Sequence, residues 1–142
     1  MAIFSKYSLE KIRQCHPDLI LVLDEAIKIY DFFIAEAWRG EEEQNKAYAS
    51  GKSKKKYPYS KHNSLPSTAV DIYPYPFNFS DNSTLNISRC YYLAGIIYGI
   101  SESLFREGLI SHKVRWGGDW DSDNIYTDEK FRDMGHFELI TK

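Results

Sequence analysis

The sequence predicts an α+β domain in which helices pack on a small antiparallel sheet, with a functional site on the sheet's open face. Three observations predict it. Apolar residues recur every three to four positions through residues 17–33 and 86–108, as they do in helices that bury one side. Four short stretches, near residues 32–38, 69–73, 112–116 and 136–140, carry the aromatic and β-branched content or the alternation of strands. The chain has 142 residues, 43% apolar, 27% charged and 15% aromatic, which fits one compact domain with its own core.

Taken in order, Ser8 stands before LEKIRQC as an N-cap, and Pro17 opens a second helix that Ile20, Leu23, Ile27 and Tyr30 carry to about Phe33. FFIAEAW reads as a strand ending at Arg39-Gly40, and EEEQNKAYAS as a short helix stopped by Gly51, its acidic first turn matched to the helix dipole. Residues 52–61, KSKKKYPYSK, form a basic loop. Such a run is ordinarily a solvated tip, and the sharper reading is a contact with an anionic polymer. Ala69 to Tyr73 alternates as a strand, and Pro74 to Ser83 is an aromatic, proline-broken loop. A core helix follows from about Asn86 to Gly108, with Ile87, Tyr91, Ala94, Ile97, Ile100 or Ser101, Leu104 and Phe105 as its apolar stripe. HKVRW and HFELI close the chain as two strands around a Gly- and Asp-rich turn.

Charge excludes some partners. Eighteen Lys and Arg against twenty Asp and Glu leave a net charge of −2, so no global field draws the protein to nucleic acid or acidic membranes. Cys15 and Cys90 are too few for a disulfide framework and are expected as reduced core residues. The N-terminus MAIFSKYSLEKIRQ lacks the basic and apolar regions of a signal peptide, and no stretch is apolar enough to span a membrane. The expectation is a chain synthesised in the cytoplasm, without membrane insertion. With no heptad or exposed sticky edge to read, a monomer is expected. Asn78, Asn82 and Asn86 begin N-x-[ST] triplets, read as loop chemistry and helix caps.

The chemistry gathers in two segments. SKHNSLPSTAVD, residues 60–71, places His62 and Asp71 at the ends of a polar, proline-containing stretch. Near the C-terminus, Asp133 precedes His136 by three residues, and His136 opens the last strand. A loop carboxylate can turn back beside a ligand at a strand edge. Together these residues would place two imidazoles and one carboxylate around a divalent ion, with a second carboxylate nearby but unbound. That donor set suits catalytic zinc, which leaves one position open to water. The unligated carboxylate can then exchange protons with water and the leaving amine. The helical H-E-x-x-H pattern is absent.

Four blocks in order, A-W-R-G-x-E-E-Q (37–44), S-K-H-N-x-x-P-S-x-A-V-D (60–71), W-G-G-D-W (116–120) and F-x-D-M-x-H-F-E-L (131–139), resemble the zinc peptidases of the D-Ala-D-Ala carboxypeptidase/VanY type. The likeness is greatest to the single-domain L-alanyl-D-glutamate endopeptidases that phages use as endolysins. The resemblance implies a Hedgehog/D,D-peptidase-like fold and a single catalytic domain over residues 1–142 without a separate cell-wall-binding domain. It also implies a peptidoglycan stem peptide as substrate and Zn2+ as cofactor. Position by position, His62, Asp71 and His136 match the zinc ligands and Asp133 the catalytic base. Arg39 matches an arginine that steadies the scissile carbonyl as it becomes an oxyanion. Ser60 matches a serine at the substrate-binding edge. Trp116, Asp119 and Trp120 match a block near the metal, for which a role behind the ligands or in the cleft wall is expected, with Trp120 binding substrate.

Two departures stand out. His62 and Asp71 are spaced more widely than in the short form of the motif, so a longer loop must bulge between them. Gly135 stands where many relatives have proline, which is expected to loosen the approach to His136. His16 and His112 match nothing in the pattern and read as structural or exposed. Two rivals remain on the same scaffold: a D,D-carboxypeptidase or dipeptidase releasing D-Ala, and a non-catalytic zinc-binding module. Retention of Asp133 and Arg39 speaks against the second, since a structural zinc site needs neither a proton shuttle nor an oxyanion donor. The endolysin reading implies action on the cell wall after release from the cytoplasm.

Overall fold

Ser5, not Ser8, caps the first helix, accepting from the Ser8 amide at 3.2 Å. The computed structural model describes residues 2–125 and 133–141. Helix α1 spans Lys6–Ile12, and Ser8 lies inside it, buried, its hydroxyl accepting from the Ile34 amide. Helix α2 begins at Pro17 as expected but ends at Ile27, with Leu19, Val22, Leu23 and Ala26 on its buried side. The expected run to Phe33 is cut short because Phe32–Glu36 form strand β1, where Phe32 and Ile34 alternate into the core. Helix α3 covers Glu41–Ala49, and Gly51, at φ +80°, ends it.

Strand β2 is Ala69–Pro74, helix α4 is Thr84–Arg106, strand β3 is Lys113–Trp116 and strand β4 is His136–Ile140. Ser83 caps α4, which buries Cys90, Leu93, Ala94, Ile97, Ser101 and Leu104. Ala94, Ile97, Ser101 and Leu104 of the expected stripe are buried, whereas Ile87 is left 39% exposed. The sheet order is β1-β2-β4-β3 with every pair antiparallel. Helices α2 and α4 pack together, and α4 lies on β2 and β3.

Strand alternation divides the sheet into two faces. Ile34, Val70, Ile72, Val114, Phe137 and Leu139 join the helices in one core, each buried branched or aromatic side chain contributing about 1.5–3 kcal/mol of transfer free energy. The intervening residues face the other way. Both cysteines are free and buried, as expected. Cys15 lies beyond α1 at a bridge to Ser67, where the His16 amide meets the Ser67 carbonyl at 2.8 Å. This bridge ties the α1–α2 junction to the entrance of β2.

Candidate metal centre

Strand register brings two of the expected ligands together. Asp71 of β2 and His136 of β4 are directly opposed cross-strand partners, so their side chains share one face. By the same alternation Tyr73, Glu138 and Arg115, which pairs with Glu138 across β3 and β4, lie on that face, opposite the helices. His62 comes from the loop before β2 and is held from three directions. Its carbonyl accepts from the Arg39 amide at 2.7 Å, its amide donates to Ser60 Oγ at 3.2 Å, and its Nδ1 donates to the Ala37 carbonyl at 2.6 Å. The wider spacing from His62 to Asp71 is taken up by a loop pinched at its base, where the Thr68 hydroxyl donates to the Lys61 carbonyl.

Three donor atoms meet here. His62 Nε2 lies 3.3 Å from His136 Nδ1, His136 Nδ1 lies 3.1 Å from Asp71 Oδ1, and Asp71 Oδ1 lies 3.3 Å from His62 Nε2. All three residues are buried, and the trio could hold a metal ion. The bond to Ala37 fixes a proton on His62 Nδ1 and leaves the Nε2 lone pair toward the cluster. His136 Nε2 donates to Glu138 Oε1 at 2.8 Å and so offers Nδ1. Glu138 is steadied in turn by Arg115 Nη2 at 2.6 Å and Lys61 Nζ at 3.4 Å. Burial alone would push the His136 imidazole down, but its bonds to Asp71 and Glu138 outweigh burial and raise it to about 9. Burial likewise opposes ionisation of Asp71 and Glu138, yet the imidazoles beside Asp71 hold it far below the usual carboxylate range, and His136 and Arg115 lower Glu138 to about 2.

The other expected residues surround this trio. Arg39 is 5% exposed. Its Nε donates to Glu36 at 2.8 Å, its Nη1 donates to Gln44 at 3.0 Å, and its Nη2 lies 4.0 Å from Asp71. Asp133 is fixed through its backbone, its amide donating to the Gly117 carbonyl at 2.9 Å and its carbonyl accepting from the His136 amide at 3.1 Å. Burial, then the charge of Asp71, raises its carboxyl above the usual range. Gly117 makes this possible, because a Cβ there would collide with the Asp133 carbonyl. Ser60, Trp120, Asp133 and Arg39 all line one cleft of about 520 Å³ with the trio. The Trp120 ring lies 5.3 Å from the His136 ring.

Known proteins share the sequence and fold of this chain. Residues 1–140 match the family model of phage L-alanyl-D-glutamate peptidases. The chain belongs to this family. It is 30% identical over 146 residues to the L-alanyl-D-glutamate peptidase of Escherichia phage T5, covering 96% of this chain and 97% of that one. Its structure is similar to that of the Serratia marcescens L-Ala D-Glu endopeptidase ChiX, with a TM-score of 0.66 at 26% identity over 96% of this chain and 89% of the other.

Within the framework of this phage peptidase family, several residues take places that the sequence reading did not give them. Glu138, two residues after His136 and therefore on the same face, was absent from the expected site although strand parity marks it. Trp116 points to the core side, stacked on Phe137 at 6.4 Å, while its Nε1 donates to the Met134 carbonyl at 2.8 Å and braces the segment between Asp133 and His136. Asp119 does not line the cleft; it accepts from the Asn124 amide at 3.0 Å in the turn that follows. Phe131 of the last motif block lies outside the described residues. Gly135 is buried and donates nothing to looseness: its carbonyl accepts from Ile72 at 2.8 Å, and a Cβ would run into the Tyr73 ring. His16 accepts from the Asp18 amide as the cap of α2, and His112 pairs with Asp18 at 2.8 Å. The two rings lie 4.9 Å apart.

Proposed function

We propose that the protein is a zinc-dependent peptidoglycan peptidase that hydrolyses the amide between L-alanine and D-glutamate in the stem peptide, as a phage-type endolysin acting after release from the cytoplasm. The carrying observation is the triangle of donor atoms, with sides of 3.3, 3.1 and 3.3 Å. Atoms bound at about 2.0–2.1 Å to one tetrahedral zinc stand about 3.3 Å apart. Two imidazoles and one carboxylate are a catalytic donor set, and family membership supplies the substrate class. When bound, zinc supplies Lewis acidity, which polarises a carbonyl and acidifies a water.

The chain's own residues do the rest in this reading. Arg39, immobilised by Glu36 and Gln44, presents Nη2 as a fixed donor for the carbonyl oxygen as it gains charge. Asp133 accepts a proton from water and returns it to the departing amine, its raised pKa bringing it nearer the working pH. Ser60 holds the His62 loop at the cleft edge, and Trp120 forms a flat apolar wall for the peptide.

Digestion of purified, defined stem peptides with mass readout, with and without chelator, tests the assignment. The expected products are a fragment ending in L-alanine and one beginning with D-glutamate, both suppressed by chelation. Release of a lone D-Ala would replace this reading with a D,D-carboxypeptidase.

Proton linkage provides a prediction independent of turnover. In the chelated protein His136 titrates near 9, so an ion entering at pH 7 displaces its proton. Calorimetry in buffers of differing ionisation enthalpy is expected to show release of about one proton, with affinity falling about tenfold per pH unit below that value. The pH dependence of stability differs between the two forms. A raised imidazole pKa stabilises the metal-free fold fully below about 6.5, its ordinary value, and that contribution is lost as pH rises through 9. Metal-free protein is therefore expected to lose stability between pH 6.5 and 9, whereas the metal-loaded protein, whose His136 carries no proton to lose, stays level over that range and weakens only below about 6.5. Proton-independent metal uptake would contradict histidine ligation.

A further inference from the structure

The basic loop is built into the cleft. Lys52, Lys54 and Lys55 line the same cavity as the donor trio, whereas Lys56 leaves it to sit 5.1 Å over the Tyr48 ring. A solvated tip needs no internal scaffold, yet this segment has one. The Ser53 amide donates to the Ala47 carbonyl at 3.0 Å, and Gln44 Nε2 donates to Ser53 Oγ at 2.9 Å and to the Lys55 carbonyl. Gln44 is completely buried. Its Oε1 accepts from Arg39 Nη1 at 3.0 Å and from Asn63 Nδ2 at 3.1 Å, so both ends of the amide are fully used. One side chain thus fixes the lysine loop and the Arg39 guanidinium relative to each other.

The charges of this wall are also distributed unevenly. Lys61 and Arg115 share the one carboxylate of Glu138, and Arg39 pairs with Glu36 at 2.8 Å and lies 4.0 Å from Asp71. Among the described residues no carboxylate pairs with Lys52 or Lys55. A chain with a net charge of −2 therefore holds surplus positive charge at the edge of its site, where it attracts an anion.

We propose that Lys52, Lys54 and Lys55 form a carboxylate subsite that reads the free carboxylate of the glutamyl residue on the leaving side of the scissile amide. This rests on the endopeptidase reading above. A glutamate acylated at its amine carries two carboxyl groups, and only one can continue the peptide. The other stays anionic unless it is amidated, so the subsite distinguishes glutamyl from amidated substrates. Lysine ammonium groups on flexible stems suit such a contact, since they attract charge without the fixed geometry of a bidentate clamp.

The test compares the wild type with K52Q/K54Q/K55Q, both zinc-loaded, on two synthetic peptides. Each contains the L-Ala–D-Glu bond, and they differ only in carrying the second carboxyl as carboxylate or carboxamide. Wild type is expected to favour the carboxylate peptide by about threefold to fivefold in kcat/KM, mainly through KM, as for exposed charged contacts. In the variant that ratio is expected to fall toward one. A ratio of one in the wild type, or an undiminished ratio in the variant, overturns the subsite, including the case in which the loop only concentrates the enzyme on anionic polymers. Mass analysis separates this failure from the larger one: if neither peptide is cut between alanine and glutamate, the endopeptidase reading falls and the subsite with it.

Discussion

His136→Ala is expected to abolish metal binding and hydrolysis together. Loss of one of three protein ligands to zinc, whose structural sites in small domains are worth roughly 10–16 kcal/mol in total, removes about 3 kcal/mol or more, a fall of at least ~10²-fold in affinity. His62→Ala should act alike, since its Nε2 is the second imidazole corner of the triangle, 3.3 Å from His136 Nδ1. The cause can be separated from misfolding. His136→Ala removes the donor to Glu138, but Glu138 keeps Arg115 at 2.6 Å and Lys61 at 3.4 Å, so the buried carboxylate is not stranded and the metal-free variant should fold. Glu138→Gln is the graded control. It keeps the ligands but weakens the group that orients His136, for which a loss of ~10–100-fold in metal affinity is expected. Elemental analysis, circular dichroism and turnover on one preparation distinguish the cases. Full metal content in folded His136→Ala protein would remove that residue from the ligand set.

Residue types made the centre legible, but register assembled it. His62, Asp71 and His136 could be named from their motif blocks, yet nothing local states that Asp71 and His136 face each other across β2 and β4. Glu138 and Arg115 were within reach of the same reading, because a strand starting at His136 must put residue 138 beside it. Gln44 was less accessible. It sits among acidic residues on a mostly exposed helix, and its burial arises from Arg39, Asn63 and the lysine loop, contacts between distant segments. The helix and strand content was readable from periodicity, whereas ends were decided by tertiary contacts. The apolar spacing through Tyr30 and Phe33 fits a helix, but Phe32 and Ile34 find partners in β2, and pairing overrides the local pattern. Ser8 looked like a cap until the Ile34 amide, 26 residues away, claimed its hydroxyl.

Asp133→Asn is expected to keep the metal and lose about 10²–10⁴-fold in kcat, the usual contribution of a positioned proton-transfer group. Asp133 stands outside the buried donor trio, and asparagine preserves its size and the backbone bonds to Gly117 and His136. The metal content should therefore be unchanged. The acid limb of the pH profile of kcat/KM should lie above the usual carboxylate range in the wild type, because burial and the charge of Asp71 both oppose ionisation of Asp133. A carboxyl pKa raised by folding means that the native state disfavours the ionised form, so its cost appears as pH rises through the folded value. In metal-free protein the Asn variant should then melt above the wild type at pH 7, and the difference should vanish at low pH, where the carboxyl is protonated in both states. Improved stability with lost turnover is what a strained, functional carboxylate produces. An unchanged rate would end its role as the base, and loss of metal on substitution would make it a ligand instead.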